Sequence, residues 1–220
     1  MEETITAFTG AGAVAGRGDR GVRAPEAAAR YAEECHWDVC PGTWLEMNGG
    51  AWHCSCGDPG CAAPGAHPAR ADWAAEATGS ATVARRMWRE RPEASVLLPT
   101  GRSFDVIEVP ETAGFLALAR MERREPAPGP VVSAPDRRMR FLVLPGAAAK
   151  VPDLVRGLGW APATLDLAVL GAGGYVAAPP TRWGAWGSVR WVCRPTAANR
   201  WLPDAAELIA PLAYACARER

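Results

Sequence analysis

The sequence predicts an α+β fold: an antiparallel sheet with flanking helices and a metal-stiffened loop attached. Three observations carry this expectation. From Phe104 to Val169, apolar segments of strand and helix character alternate as β-α-β-β-α-β. Ahead of them, a turn-rich segment holds Cys54, Cys56, Cys61 and His67 in the spacing C-x-C-x4-C-x5-H. The 220 residues, 49% of them hydrophobic, suffice for one good core.

Residues 1–24 are rich in Gly, Ala, Thr and Arg and lack apolar periodicity, which predicts a disordered tail before one domain over 25–220. Pro25 suits the first turn of a helix whose Ala28, Tyr31, Ala32 and Cys35 share a face. Trp37 to Val39 reads as a short strand, and Pro41 to Ala71 as a loop. Ser80 caps a helix that ends before Pro92 and shows Arg85, Arg86 and Arg89 outward, a solvated basic face rather than a phosphate contact.

Ser95 to Leu98 and Phe104 to Val109 are strands. Thr112 to Arg124 is a helix with Phe115, Leu118 and Ala119 inward. Val131 to Ala134 and Met139 to Leu144 are strands, and Val151 to Leu158 is a helix stopped by Gly159. Strands follow over Thr164 to Val169, Tyr175 to Ala178 and, at the margin, Ser188 to Val192. Asp204 with Glu207 starts the last helix, which Pro211 should kink or divide. The β-α-β-β-α-β order is the split unit that packs two helices on one sheet face and leaves the other face free for a site.

The Cys54, Cys56, Cys61 and His67 set lies within a loop of about 40–72. Three thiolates and an imidazole make the closed tetrahedral set of a structural Zn2+, and such a loop has too little apolar surface to hold its own shape. An unmetallated loop or a disulfide is the plainer reading, and His53 is an alternative fourth ligand. Of the other cysteines, Cys35 and Cys40 could pair or bind metal, but small buried apolar residues are the preferred reading.

Lys plus Arg equals Asp plus Glu at 24 each, so bulk charge attracts neither nucleic acid nor anionic membrane, and any polyanion contact needs a local cluster. No apolar run reaches spanning length, and Glu2 and Glu3 do not resemble a basic leader. A cytoplasmic protein with free thiols is expected, without membrane partners.

At these residues the chain resembles the bifunctional DNA primase/polymerase N-terminal (prim-pol) domain of the archaeo-eukaryotic primase superfamily. The metal loop through Pro64-Gly65-Ala66-His67-Pro68 is similar to that family's zinc segment. Pro92 to Val96 leading to Thr100-Gly101 is similar to the family's approach to its first catalytic strand, Val131 to Pro145 to its second motif, and Leu165-Asp166-Leu167 followed by Gly173-Gly174-Tyr175-Val176-Ala177-Ala178-Pro179-Pro180 to its third. The resemblance implies an RRM-like core and nucleotidyl transfer by two divalent metals, Mg2+ or Mn2+, held by carboxylates on the open sheet face. It places Glu108 at the first acidic position, Asp166 at the third, and Arg140 where the family has a histidine near the triphosphate.

The chain departs from that pattern. Pro110 stands where the second carboxylate belongs, Asp105 faces the other way, and Glu111 would reach only through a bulge. Ala66 replaces a basic residue in the turn before His67. The expectation is therefore a prim-pol-like domain with weakened or absent catalysis, in which Arg137, Arg138 and Arg140 bind a nucleotide or a nucleic-acid backbone. An active metal-dependent primase/polymerase is the first alternative. The second is a protein-interaction module: among the ten tryptophans, Trp183, Trp186 and Trp191 could bind a partner or stack on bases, with core packing of a loop over the sheet as the preferred reading. Beside a residual metal or nucleotide role for Glu108 and Asp166 stands the plainer reading, ordinary strand-end carboxylates with solvent or arginine partners. No Gly-x-x-x-x-Gly-Lys-Ser/Thr motif occurs, so a role in replication calls for a helicase or other replication protein in trans.

Overall fold

Pro25 opens the first helix, α1 (Ala24–Glu34), which buries Ala28, Tyr31 and Ala32 as their spacing predicts. The structure, a computed structural model, describes residues 22–122, 128–196 and 201–218. The tail expected over residues 1–24 lies outside the described residues as far as residue 21. β1 (Cys40–Pro41) begins just past the strand expected at Trp37 to Val39, where Val39 forms only an isolated bridge to Thr78.

The expected loop from Pro41 to Ala71 contains a hairpin, β2 (Leu45–Asn48) and β3 (Ala51–Cys54). Gly49 and Gly50 join its strands at φ +58° and +81°, the paired left-handed conformation that suits a two-residue hairpin turn. A single turn, α2 (Trp73–Glu76), precedes α3 (Ala81–Glu90), and Ser80 caps α3 by accepting from the Val83 N–H at 3.4 Å.

β4 (Val96–Pro99), β5 (Asp105–Pro110), α4 (Glu111–Met121), β6 (Val131–Ala134) and β7 (Arg138–Val143) fall close to their expected places. α5 (Ala147–Gly157) begins four residues before Val151. Its cap comes from far along the chain: the Asp105 carboxylate accepts from the N–H groups of Gly146 at 2.9 Å and Ala148 at 3.2 Å. β8 (Ala168–Leu170) is shorter than the strand expected from Thr164, because Pro162 to Thr164 wind into a 3-10 turn. β9 (Tyr175–Ala178), β10 (Arg182–Trp183), β11 (Gly187–Ser188), β12 (Arg190–Cys193) and α6 (Ala205–Ala217) complete the chain. α6 runs through Pro211 unbroken, contrary to expectation; Glu207, the residue four positions back, is exposed, so water can reach the carbonyl that loses its partner.

Five strands form an antiparallel sheet in the order β12-β6-β7-β5-β8, and a smaller sheet has the order β1-β4-β9. Alternation assigns the faces of the larger sheet. Ile107, Val109, Val131, Met139, Phe141 and Val143 pack with residues of α4, α5 and α6. Val106, Val132, Ala134 and Leu142 join a second cluster with residues of α1, α3, β4 and β9. Each such buried side chain contributes roughly 1.5–3 kcal/mol of transfer free energy.

The second face is therefore not free, as the sequence suggested. The N-terminal half covers the Val106 and Leu142 part, and at the other end Glu108, Arg138 and Arg140 are mostly covered, Arg140 with Trp183 beside it. On α4 the inward stripe is Ala113, Gly114, Ala117, Leu118 and Met121, while Phe115 and Ala119 point out. Gly114 sets that phase: a Cβ there would lie 2.4 Å from Met139 Sδ, so the helix approaches the sheet through its small residues. Among the described residues, no helix is long and apolar enough to cross a membrane.

Candidate metal centre and acidic face

Cys54 ends β3 and the chain then turns back twice on glycines, through Gly57 at φ +78° and Gly65 at φ +75°. Asp58 closes the first turn by accepting from the Gly60 N–H at 2.8 Å. Gly65 has no room for a side chain: a Cβ would stand 2.7 Å from Leu45 Cγ and 3.1 Å from the Arg182 carbonyl. This path brings the ligand atoms of Cys54, Cys56, Cys61 and His67 within 4.8 Å of one another. Cys54 Sγ and His67 Nε2 are 3.4 Å apart. Around a tetrahedral ion with sulfur at about 2.3 Å and nitrogen at about 2.0 Å, such atoms would be separated by about 3.5–3.8 Å, so the four residues fit a metal ion. His53 takes no part: it lies on the opposite side of β3 from Cys54, across from Glu46.

The surroundings tune the donors. The Gly65 N–H donates to Cys54 Sγ at 3.2 Å, and His67 Nδ1 lies 2.8 Å from the Pro68 carbonyl, which leaves Nε2 for the ion. Burial pushes the Cys54 thiol up, but hydrogen bonds from the N–H groups of Cys56 and Gly65, with Thr43 and Cys56 side chains, outweigh it and bring it down to about 6. Burial, with the sulfurs of Cys54 and Cys56 alongside, pushes Cys61 up to about 12. Mutual repulsion among thiolates is what a bound cation relieves. Cys35 and Cys40 are free thiols pushed up to about 11 and about 12, chiefly by burial, in keeping with packing residues.

The second cluster sits on the charged end of the same sheet face, where Asp166 is its most exposed member. Glu108 faces Arg140 across the β5–β7 ladder, and Pro110 faces Arg138. Alternation puts all four on one side. Glu108 Oε2 is 2.7 Å from Arg140 Nη2, and its Oε1 is 3.1 Å from Arg138 Nε. Arg138 Nη1 also reaches both oxygens of Asp166 at 2.8 Å, and Arg140 pairs with Asp136 at 2.6 Å. The Asp166 and Glu108 contacts outweigh burial and hold the Arg138 guanidinium above its ordinary range. Glu108, Arg140 and Asp166 are thus brought together, as the sequence expects, but joined through guanidiniums. Arg137, at φ +61° in the β6–β7 turn, points to solvent instead.

Glu111 is on the other side of the sheet, where it accepts from Ser133 Oγ at 2.7 Å, and Asp105 is committed to α5. Neither replaces the missing second carboxylate. Sequence reading missed Asp136, which also accepts from the Arg138 N–H at 3.0 Å and so closes its own turn. It missed the placement of Trp183 as well, whose ring centroid is 5.9 Å from Arg140 Cζ and whose buried indole N–H has no partner. The β10–β11 hairpin ties this cluster to the metal loop, since the Gly184 N–H donates to the Pro64 carbonyl at 2.8 Å. Trp191 is a core residue: its indole N–H donates to Tyr31 Oη at 2.9 Å.

A family model described as "Bifunctional DNA primase/polymerase, N-terminal" matches residues 28–205. No curated protein and no solved structure matches the chain.

Proposed function

The chain belongs to the bifunctional DNA primase/polymerase N-terminal family, and from that membership we propose that it is a primase/polymerase-like domain that binds nucleotide or nucleic acid without polymerising it. One observation carries the reading: both oxygens of Glu108 are held by guanidiniums, at 3.1 and 2.7 Å. A divalent metal at Glu108 would have to displace two charge-assisted hydrogen bonds, worth about 1.5–3 kcal/mol each. That lowers metal affinity by a factor of roughly 10^2 to 10^4. Pro110 offers no second carboxylate to recover it.

The RRM-like description is supported by the β-α-β-β-α-β chain order of β5 to β8 and the strand order β6-β7-β5-β8. We read the Cys54, Cys56, Cys61 and His67 site as holding a structural Zn2+, which would fix the metal loop against β10–β11. A reducing cytoplasmic location keeps its thiolates available. A helicase or other replication protein would act in trans.

The active alternative draws on one contact: Arg138 bonds Glu108 and Asp166 together, so the two acidic positions are near each other. Mg2+ or Mn2+ would then enter by displacing Arg138. Incubating zinc-loaded protein with a primed template, deoxynucleoside triphosphates and either metal separates the two. The proposal expects salt-sensitive oligonucleotide binding and no extension. Extension that Asp166→Ala abolishes would replace it with the active reading.

A further inference from the structure

We infer that the two hairpins beside the metal loop form a stacking surface for single-stranded nucleic acid, with Trp52 and Trp186 as base platforms and Arg182 and Arg137 as phosphate contacts. The inference rests on the nucleic-acid reading above and gives it a place beside the arginine-paired acidic face.

The β2–β3 register builds one half. Leu45 faces Cys54 and Met47 faces Trp52, so Met47 and Trp52 share the side that turns toward the metal loop, while Glu46 and His53 lie on the reverse. Trp52 is 39% exposed and Met47 52%. The Arg182 guanidinium lies 5.0 Å from the Trp52 ring centroid, stacking a cation on the indole.

Arg182 begins the second hairpin, and alternation sends its neighbour Trp183 inward to Arg140. The tip carries Trp186, 64% exposed. The same hairpin meets the β6–β7 turn, where a Cβ on Gly187 would lie 3.9 Å from Pro135 Cγ. That turn presents Arg137. The Arg182–Trp52 contact thus joins the first hairpin to the second, and the Gly187–Pro135 approach joins the second to the turn that carries Arg137. Among the described residues, neither Arg182 nor Arg137 has a carboxylate partner. The nearest acid of that turn, Asp136, is taken by Arg140.

Exposed indoles beside uncompensated guanidiniums select a ligand that offers flat apolar faces and regular negative charge together. A single strand does, whether DNA or RNA, since every base has a π-face and every residue a phosphate. A duplex hides its base faces, and an acidic peptide has no comparable faces.

The test is fluorescence anisotropy with labelled oligo-dT, oligo-U and a duplex of equal length, on the full zinc-loaded chain over a range of salt. The single strands should bind more tightly than the duplex and quench tryptophan emission. Trp52→Ala and Trp186→Ala should each weaken binding about tenfold, with Trp186→Phe retaining most of it. Arg137→Ala and Arg182→Ala should each reduce the salt slope by about 0.7. If the wild type binds no oligonucleotide, the nucleic-acid reading itself fails. If it binds but both tryptophan variants bind equally well, or the duplex binds as tightly, the stacking surface is overturned and that reading stands.

Discussion

Glu108 and Arg140 face each other across the β5–β7 ladder, with Glu108 Oε2 2.7 Å from Arg140 Nη2. The pair is one rung of a network in which two guanidiniums, Arg138 and Arg140, hold three carboxylates, Glu108, Asp136 and Asp166. Side-chain exposures of 11% for Arg140 and 16% for Glu108 keep this rung weakly screened. Its strength bears on stability as well as on the proposed exclusion of a divalent metal.

Arg140→Ala should destabilise the domain. Removing one partner of a buried pair costs about 3–5 kcal/mol, and the remaining Arg138 contact reduces this to about 2 kcal/mol. For a chain of this size that lowers the melting temperature by about 4–8 °C, readable by calorimetry. The triple variant Glu108→Gln/Asp136→Asn/Arg140→Met should recover most of the loss, because Arg138 keeps Asp166 and no charge is then left alone.

Metal content is the second check. Elemental analysis should find about one zinc per chain in the wild type and much less in Cys61→Ser or His67→Ala. Chelation should lower thermal stability and open the chain between residues 54 and 67 to proteolysis, since a metal bound there would supply that loop's folding energy.

Asp204→Ala should cost about 1 kcal/mol near neutral pH in urea denaturation, the usual loss of a helix cap. The Ala206 N–H and Lys150 hold the Asp204 carboxyl below the ordinary carboxylate range. Its folded value is depressed, so its contribution is complete above about pH 4 and is lost as pH falls through that lowered value. Wild type and variant should therefore converge at strongly acidic pH.

Gly114→Ala should reverse the ordinary helix preference for alanine. The new Cβ would lie 2.4 Å from Met139 Sδ and 2.8 Å from Met139 Cβ, which forces the helix off the sheet at about 1–3 kcal/mol. Gly157→Ala, with nothing within 4 Å, should be neutral or slightly stabilising in the same assay.

Much of this was legible in the sequence. The strands of the large sheet follow from β-branched alternation, and the metal set from ligand spacing among turn residues. The β2–β3 hairpin was missed although Asn48-Gly49-Gly50-Ala51 carries its signal, because the cysteines drew the whole segment into one loop. The start of α5 was not legible, since its cap is Asp105, on another strand. Nor was the inward face of α4, which depends on how closely Gly114 meets Met139. On the acidic face, residue types gave the candidates, but only cross-strand register shows that Arg138 and Arg140 occupy the oxygens of Glu108.

The most direct measurement is a manganese titration of the zinc-loaded protein without nucleotide, followed by electron paramagnetic resonance. With the oxygens of Glu108 and Asp166 held by arginine, added Mn2+ should stay in the free signal, in the wild type as in Glu108→Gln and Asp166→Asn. Stoichiometric loss of that signal in the wild type, restored in either variant, would contradict it.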